Sequence, residues 1–206
     1  MTPPATAGSE DVELRPEQRR ALDYVRAKGS EAPAAEVRRR VAAALAEIEE
    51  LLATTPASRT SRRPEPTRWS IHEVVDHLVE SHRPAVRDLE LLLAGQSPAG
   101  GPIPAGILSP DPFRRPWPEI CADLREVHRE LLALLAGAGD ETPTTARAAV
   151  EMVVRCATPD GGTEPVHWVE RFDWKAHALL LGVHTREHAG QIRRIDGVLR
   201  PRTSGS

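Results

Sequence analysis

His184-Thr185-Arg186-Glu187-His188-Ala189-Gly190-Gln191-Ile192 is the stretch that decides what this 206-residue chain folds into. Its two histidines are one helical turn apart, so on a helix their Cβ atoms stack on one face about 5–6 Å apart, a spacing from which two imidazoles converge on a single metal ion. At 100° per residue, Leu181, Ile192, Ile195 and Leu199 fall within about 60° of one another, with His188 inside that sector and His184 at its edge. Arg186, Arg193 and Arg194 occupy the opposite, wet side. The pattern predicts a core-facing helix from about Trp174 to Leu199, ended by Pro201.

Three more long helices follow from the same periodicity. Val37, Val41, Leu45, Ile48 and Leu52 recur at three- and four-residue intervals and predict a helix over Ala34 to Ala53, with Arg38, Arg39, Glu47 and Glu50 toward solvent. A polar connector with three prolines, Thr54 to Thr67, leads to Ser70 and Glu73, whose spacing reads as a capping box. The second helix therefore starts near Ile71 and ends near Gly95, carrying Val74, Val75, Leu78, Val79, Val86, Leu89 and Leu93. Pro84 should kink it just past His77, because proline removes the hydrogen bond to the Glu80 carbonyl. Gln96 to Pro118 is a Pro- and Gly-rich surface connection. A third helix over Glu119 to Ala136 follows from Ile120, Leu124, Val127, Leu131, Leu132 and Leu135.

Elsewhere the pattern changes. Ala149–Val154 and Val166–Phe172 flank the turn signal Pro159-Asp160-Gly161-Gly162, which predicts a small β-hairpin before the last helix. Pro16 to Lys28, closed by Gly29, reads as a short preliminary helix that covers a bundle face. Residues 1–15 and 201–206 carry a composition that does not support packing and read as disordered ends, leaving 16–200 as one domain. Four long amphipathic helices with little strand make an all-α four-helix bundle the expected fold.

Composition narrows the function classes. With 40% apolar and 28% charged residues and a net charge of −3, the chain has no electrostatic case for a nucleic-acid or anionic-membrane partner. The basic run Arg38-Arg39-Arg40 reads as solvated helix surface. Cys121 and Cys156 lack a Cys-x-x-Cys spacing, which disfavours a disulfide framework or a thiolate zinc site. The first eleven residues show no basic or apolar signal region, and no apolar run suffices to cross a bilayer, so a cytoplasmic location is expected. Abundant Ala, Arg and Pro suit a GC-rich genome.

Two imidazoles on an apolar stripe each need a hydrogen-bond partner or a metal, since an unsatisfied buried polar group costs about 1–3 kcal/mol. A lone core histidine is best explained by hydrogen bonding; two on one stripe favour metal. His177 lies two turns before His184, about 10 Å along the axis by the helical rise, too far to share the ion and suited to packing or a pocket wall. A catalytic site needs a third ligand from a facing helix. The second helix offers His72, His77 and His82, and spacing does not choose among them.

The sequence Trp69-Ser70-Ile71-His72-Glu73-Val74-Val75-Asp76-His77-Leu78, followed about a hundred residues later by His184-x-x-x-His188-x-x-Gln191-Ile192, resembles the DinB/YfiT-like superfamily of metal-binding four-helix proteins. The resemblance spans roughly Val37 to Leu199. It implies that His77 supplies the first metal ligand and that His184 and His188 supply the other two. It further implies an up-down-down-up bundle, a bound Zn or Ni ion and often a homodimer. Phe172-Asp173-Trp174 ahead of the histidine pair is more similar to the YfiT side of the family. Pro84 and the 96–118 loop depart from the family pattern.

Three neutral imidazoles would leave the ion dipositive, so that a coordinated water or thiol loses its proton easily. Water as nucleophile makes a hydrolase. A low-molecular-weight thiol makes an S-transferase, which the resemblance favours because relatives use mycothiol or bacillithiol in that way. Glu73, one turn before His77, is a candidate to orient that ring, although the capping box already accounts for it. Gln191, one turn after His188, is a candidate to contact a bound ligand. A bundle that binds metal or a small ligand without catalysis is the remaining class. Trp69, Trp117, Trp168 and Trp174 read as core or pocket wall, and His128 and His167 as surface or packing residues.

Overall fold

The computed structural model describes residues 13–200. The readings of disorder at 1–12 and 201–206, and of Pro201 as the helix stop, lie outside the described residues. Six helices and one hairpin follow in order: α1 (Pro16–Val25), continued by a π-helical turn (Arg26–Ser30), α2 (Ala34–Thr54), the single turn α3 (Ala57–Thr60), α4 (Ile71–Leu93), α5 (Trp117–Ala136), β1 (Ala148–Ala157), β2 (Thr163–Phe172) and α6 (Trp174–Leu199). The fold is mostly helical, with one two-stranded antiparallel sheet.

Local chemistry sets these boundaries. Ser70 Oγ accepts from the Glu73 backbone N–H while the Glu73 carboxylate accepts from the Ser70 backbone N–H, closing the capping box at the start of α4. Asp173 caps α6 by accepting from the Ala176 N–H at 3.0 Å. Pro84, expected to kink α4, is carried inside one uninterrupted helical span. At the hairpin tip Gly161 has φ +82°, a left-handed conformation open to glycine, and its N–H bonds to the Thr158 carbonyl at 3.0 Å.

The four long helices form the bundle. α2 packs mainly on α6 and α5, and α4 on those same two helices, so the consecutive helices α2 and α4 face each other across the bundle. At Gly182 an added Cβ would lie 3.3 Å from the Val41 Cα, which shows how closely α6 approaches α2. Arg38, read as solvated surface, instead donates to the carbonyls of Leu135 and Ala136 at the end of α5. α1, with Val25, packs with Met152, Phe172 and Ala176 in a small cluster of its own under the hairpin.

The main core is split at mid-height. One apolar cluster joins Val37, Val41 and Leu45 to Leu89, Leu131 and Leu181. The other joins Ile48 and Leu52 to Val74, Leu78, Leu124 and Ile192. Burying each such side chain contributes about 1.5–3 kcal/mol. Between the clusters, on α4, α5 and α6, lie His77, His82, His128, His184 and His188. A histidine layer thus crosses the bundle where its helices pass from one apolar cluster to the next.

Candidate metal centre

His77 of α4 and His184 and His188 of α6 each present one ring nitrogen to a common point, all within 4.8 Å of one another. The His184 Nε2 is 3.0 Å from the His77 Nε2 and 3.0 Å from the His188 Nε2. The three rings meet nearly edge to face, with centroids 4.5–5.0 Å apart. Trp69, at the entrance to α4, tilts against His77 at 5.1 Å and stacks on His188 at 6.5 Å, so it walls this group as well as starting the helix.

Hydrogen bonds settle which nitrogen of two rings is bare. The His77 Nδ1–H donates to the Ile107 carbonyl at 2.8 Å, and the His188 Nδ1–H donates to Gln191 Oε1 at 2.8 Å. In a neutral imidazole the second nitrogen then carries only a lone pair. Burial keeps all three rings neutral: it is the largest cause that pushes His184 well below its ordinary value, His77 down and His188 down to about 4, with the neighbouring imidazoles adding to the effect at His184 and His188. Two bare Nε2 atoms therefore face His184 Nε2, which carries at most one proton and satisfies at most one of them. A cation satisfies all three. Tetrahedral Zn–N bonds of about 2.0–2.1 Å separate ligand nitrogens by about 3.3 Å, against 3.0 Å for the two pairs that meet at His184 and no more than 4.8 Å for the third. The residues present fit a three-histidine metal site.

The orienting contacts differ from those read in the sequence. Glu73 does not touch His77; its carboxylate is taken up by Ser70 and by Arg63, which holds it below the usual carboxylate range. The capping box explains Glu73, and the role of orienting His77 passes to Ile107. Gln191, expected to meet a ligand, instead fixes the His188 ring.

Ile107 is delivered by a clamp that periodicity does not reveal. Fully buried Asp76 accepts from Ser109 N and Oγ at 2.8 Å and from Arg115 at 2.7 Å, and Arg115 also pairs with Glu80 and Asp123 at 2.8 Å. The 96–118 loop is thereby pinned across His77. The one signal in the sequence was Asp76 itself, an acid flanked by Val75 and His77 on a helix that the structure buries almost throughout.

The other histidines divide cleanly. His82 stands behind the group, its Nε2 3.2 Å from the His184 Nδ1. His128 is buried and donates through Nδ1 to Glu49 Oε1 at 2.7 Å, with its ring 5.9 Å from that of His82. His177 donates to the Ala85 carbonyl at 3.0 Å. His72 packs beside Phe113 and Trp117, away from the centre. His167, on β2, pairs with Glu151 at 2.9 Å.

The three-histidine group opens on a cavity of about 620 Å³, in the size range of small-molecule sites. Its walls include Tyr24, Val25, Ile103, Met152, Leu180 and Val183, mostly apolar, with Glu187 and the Glu151–His167 pair among the polar exceptions.

A DinB superfamily profile matches residues 40–192, a span that contains the capping box, His77 and the His184–His188 pair. The chain belongs to the DinB superfamily. Among solved structures, this DinB protein is similar to YfiT from Bacillus subtilis, with a TM-score of 0.58 and 17% identity over 92% of this chain and 91% of that one. At that identity the likeness shows the fold. YfiT is described as a probable metal-dependent hydrolase with an unusual four-helix bundle topology. No curated protein matches the chain in sequence.

Proposed function

We propose that this DinB protein is a metal-dependent enzyme. In this reading His77, His184 and His188 hold one divalent ion, Zn or Ni, and a low-molecular-weight thiol of the mycothiol or bacillithiol type is joined to an electrophile in the adjoining cavity. The observation that carries the reading is the convergence of three Nε2 atoms, too few of them protonated to satisfy one another, at the wall of a largely apolar cavity. When bound, such an ion supplies the Lewis acidity that lowers the pKa of a coordinating thiol or water.

The chain's own groups do the rest. Ile107 and Gln191 hold the His77 and His188 rings by their Nδ1 protons, so the Nε2 lone pairs stay aimed inward. The mostly apolar walls favour a substrate that brings apolar surface to the site. Thiol transfer asks least of the site. The thiol gives its proton to solvent, sulfur forms the new bond to carbon, and the leaving group departs with the old bonding pair, with no side-chain acid required.

Hydrolysis is the second reading, favoured by Glu187. Next to His188 and on the cavity wall, its carboxyl is raised by burial and so retains a proton for a leaving group to higher pH. The up-down-down-up helix order, a homodimer and a cytoplasmic location belong to the same proposal. So do a small-molecule substrate and the exclusion of nucleic-acid and membrane partners, in keeping with the net charge of −3. No helix among the described residues is long and apolar enough to cross a membrane.

The test is elemental analysis of untagged wild type and His184→Ala, followed by thiol-consumption and ester-hydrolysis assays on the metal-loaded protein. About one Zn or Ni per chain, lost in the variant, is the expected result. Absence of metal after reconstitution would refute both enzymatic readings and leave a non-catalytic binding bundle.

A further inference from the structure

The hairpin presents two edges, and they are finished differently. Register pairs Ala148 with Phe172 through Ala157 with Thr163. One step beyond the strands, Thr158 N–H bonds to the Gly162 carbonyl at 3.1 Å, which continues the same register. Hydrogen-bonded and non-hydrogen-bonded pairs alternate in an antiparallel ladder. The even-numbered residues of β1 therefore spend their backbone groups on β2, and Ala149, Glu151 and Val153 direct theirs to the outer edge. Pro165 checks the assignment: opposite Arg155, it falls on an outward position, where its missing N–H costs the ladder nothing.

On β2 the outer edge is blunted toward both ends, leaving His167 and Val169 between them. Pro165 offers no donor, Arg171 N–H is taken by the Glu170 side chain at 3.0 Å, and the Thr163 carbonyl accepts from Arg155 at 3.0 Å. On β1 the matching groups of Ala149, Glu151 and Val153 have no hydrogen-bond partner in the protein among the described residues. Natural sheets cover or blunt an edge that must stay unpaired. This edge is left open along one segment, and Ala149 to Val154 line the same cavity as His77, His184 and His188.

We propose that the outer edge of β1 is a recognition site for an extended chain bearing secondary amides, a short peptide or peptide-like small molecule, which adds to the hairpin as a third strand inside the cavity. The proposal names the substrate class for the function put forward above and rests on that reading in taking this cavity as the substrate site. The physical reason is one of replacement. A ligand that fills the cavity displaces water from three backbone N–H and three C=O groups, and an apolar ligand would leave them unpaired. A chain with alternating N–H and C=O pairs them, because its own outward groups repeat every two residues, about 6.8 Å, as those of β1 do. From Ala149 to Val153 the edge spans about 13 Å, room for about four residue positions, the length of a dipeptide capped at both ends.

The experiment is a titration of 15N-labelled protein, metal-free and metal-loaded, with acetyl-Ala-Ala methylamide, a probe that carries amides and no thiol. Saturable amide shifts concentrated at Ala149, Glu151 and Val153, and small at Val150 and Met152, are expected in both states. The analogue with its terminal amide replaced by an ester should bind about tenfold more weakly, the loss set by an acceptor left unpaired. Val153→Pro, which removes an outward N–H as Pro165 does across the hairpin, should weaken the peptide by a similar factor while leaving the shifts of β2 in place. If Val153→Pro unfolds the hairpin, the amide–ester pair on wild type still decides. Equal affinity for amide and ester, or shifts spread alike over odd and even residues, would overturn the proposal. Because the probe has no thiol and metal-free protein is included, a failure of the metal reading leaves this result standing, and the reverse also holds.

Discussion

Two groups of histidines are buried in this bundle and differ in what faces them. His77, His184 and His188 turn their Nε2 atoms toward each other at the wall of an open cavity, each of the outer two held by a hydrogen bond at Nδ1. His82, His128 and His177 lie deeper, and each has one ring nitrogen buried without a protein partner. Both groups are neutral because burial outweighs every other influence on them. The comparison teaches that burial alone does not mark a ligand. What distinguishes the first group is convergence of bare lone pairs on one point with space beside it.

The largest effect should come from the first group. His184→Ala should abolish metal retention, whereas His177→Asn, two turns earlier on the same helix, should keep about one ion per chain. Retention by both variants, measured by elemental analysis after dialysis, would erase the distinction.

Next come residues that hold the ligands without joining them. Gln191→Ala, which frees the His188 ring, and His82→Leu, which removes the partner of His184 Nδ1, should each weaken metal binding about 10- to 100-fold by competition with a chelator. An unchanged affinity in both would mean that packing alone orients the rings.

Acid should act on both groups in metal-free protein, and the deeper one isolates the effect from the metal centre. His128 and His177 resist protonation in the folded protein, while the unfolded chain takes up those protons near the ordinary histidine pKa of about 6.5. Between that value and the lowered folded values the unfolded state binds more protons, so stability rises with pH. It is complete above about 6.5 and is lost as pH falls toward the folded pKa. Each such histidine contributes a slope of up to about 1.4 kcal/mol per pH unit. Urea denaturation of metal-free protein at pH 7.5, 6.5 and 5.5 measures it, and His177→Gln should flatten the curve. A level profile would show that these rings already carry protons when folded.

The smallest effect sharpens the boundary of the site. Glu73→Gln should lower stability by about 1 kcal/mol through the weakened capping box and the lost Arg63 pairing, with metal affinity unchanged. A matching drop in affinity would return Glu73 to the role of orienting His77.

Much of the molecule was legible from local pattern. Heptad-like spacing placed α2, α4, α5 and α6 to within a residue or two, the Pro-Asp-Gly-Gly turn placed the hairpin, and Ser70 with Glu73 fixed the start of α4. These features depend on contacts within a few residues, which a sequence records directly. The pair His184–His188 was legible for the same reason, one helical turn being four residues.

His77 was not singled out by spacing, which offered His72 and His82 equally; the family motif chose it, and the geometry brings it to the pair. The tertiary structure alone decided the rest. It carried a carbonyl from Ile107, thirty residues away, onto His77 and clamped its loop through Asp76 and Arg115. It set His82 behind His184 and brought β1 to the wall of the cavity. Those contacts join atoms far apart along the chain, and their positions depend on how whole helices and loops pack, a property no local repeat of residues encodes.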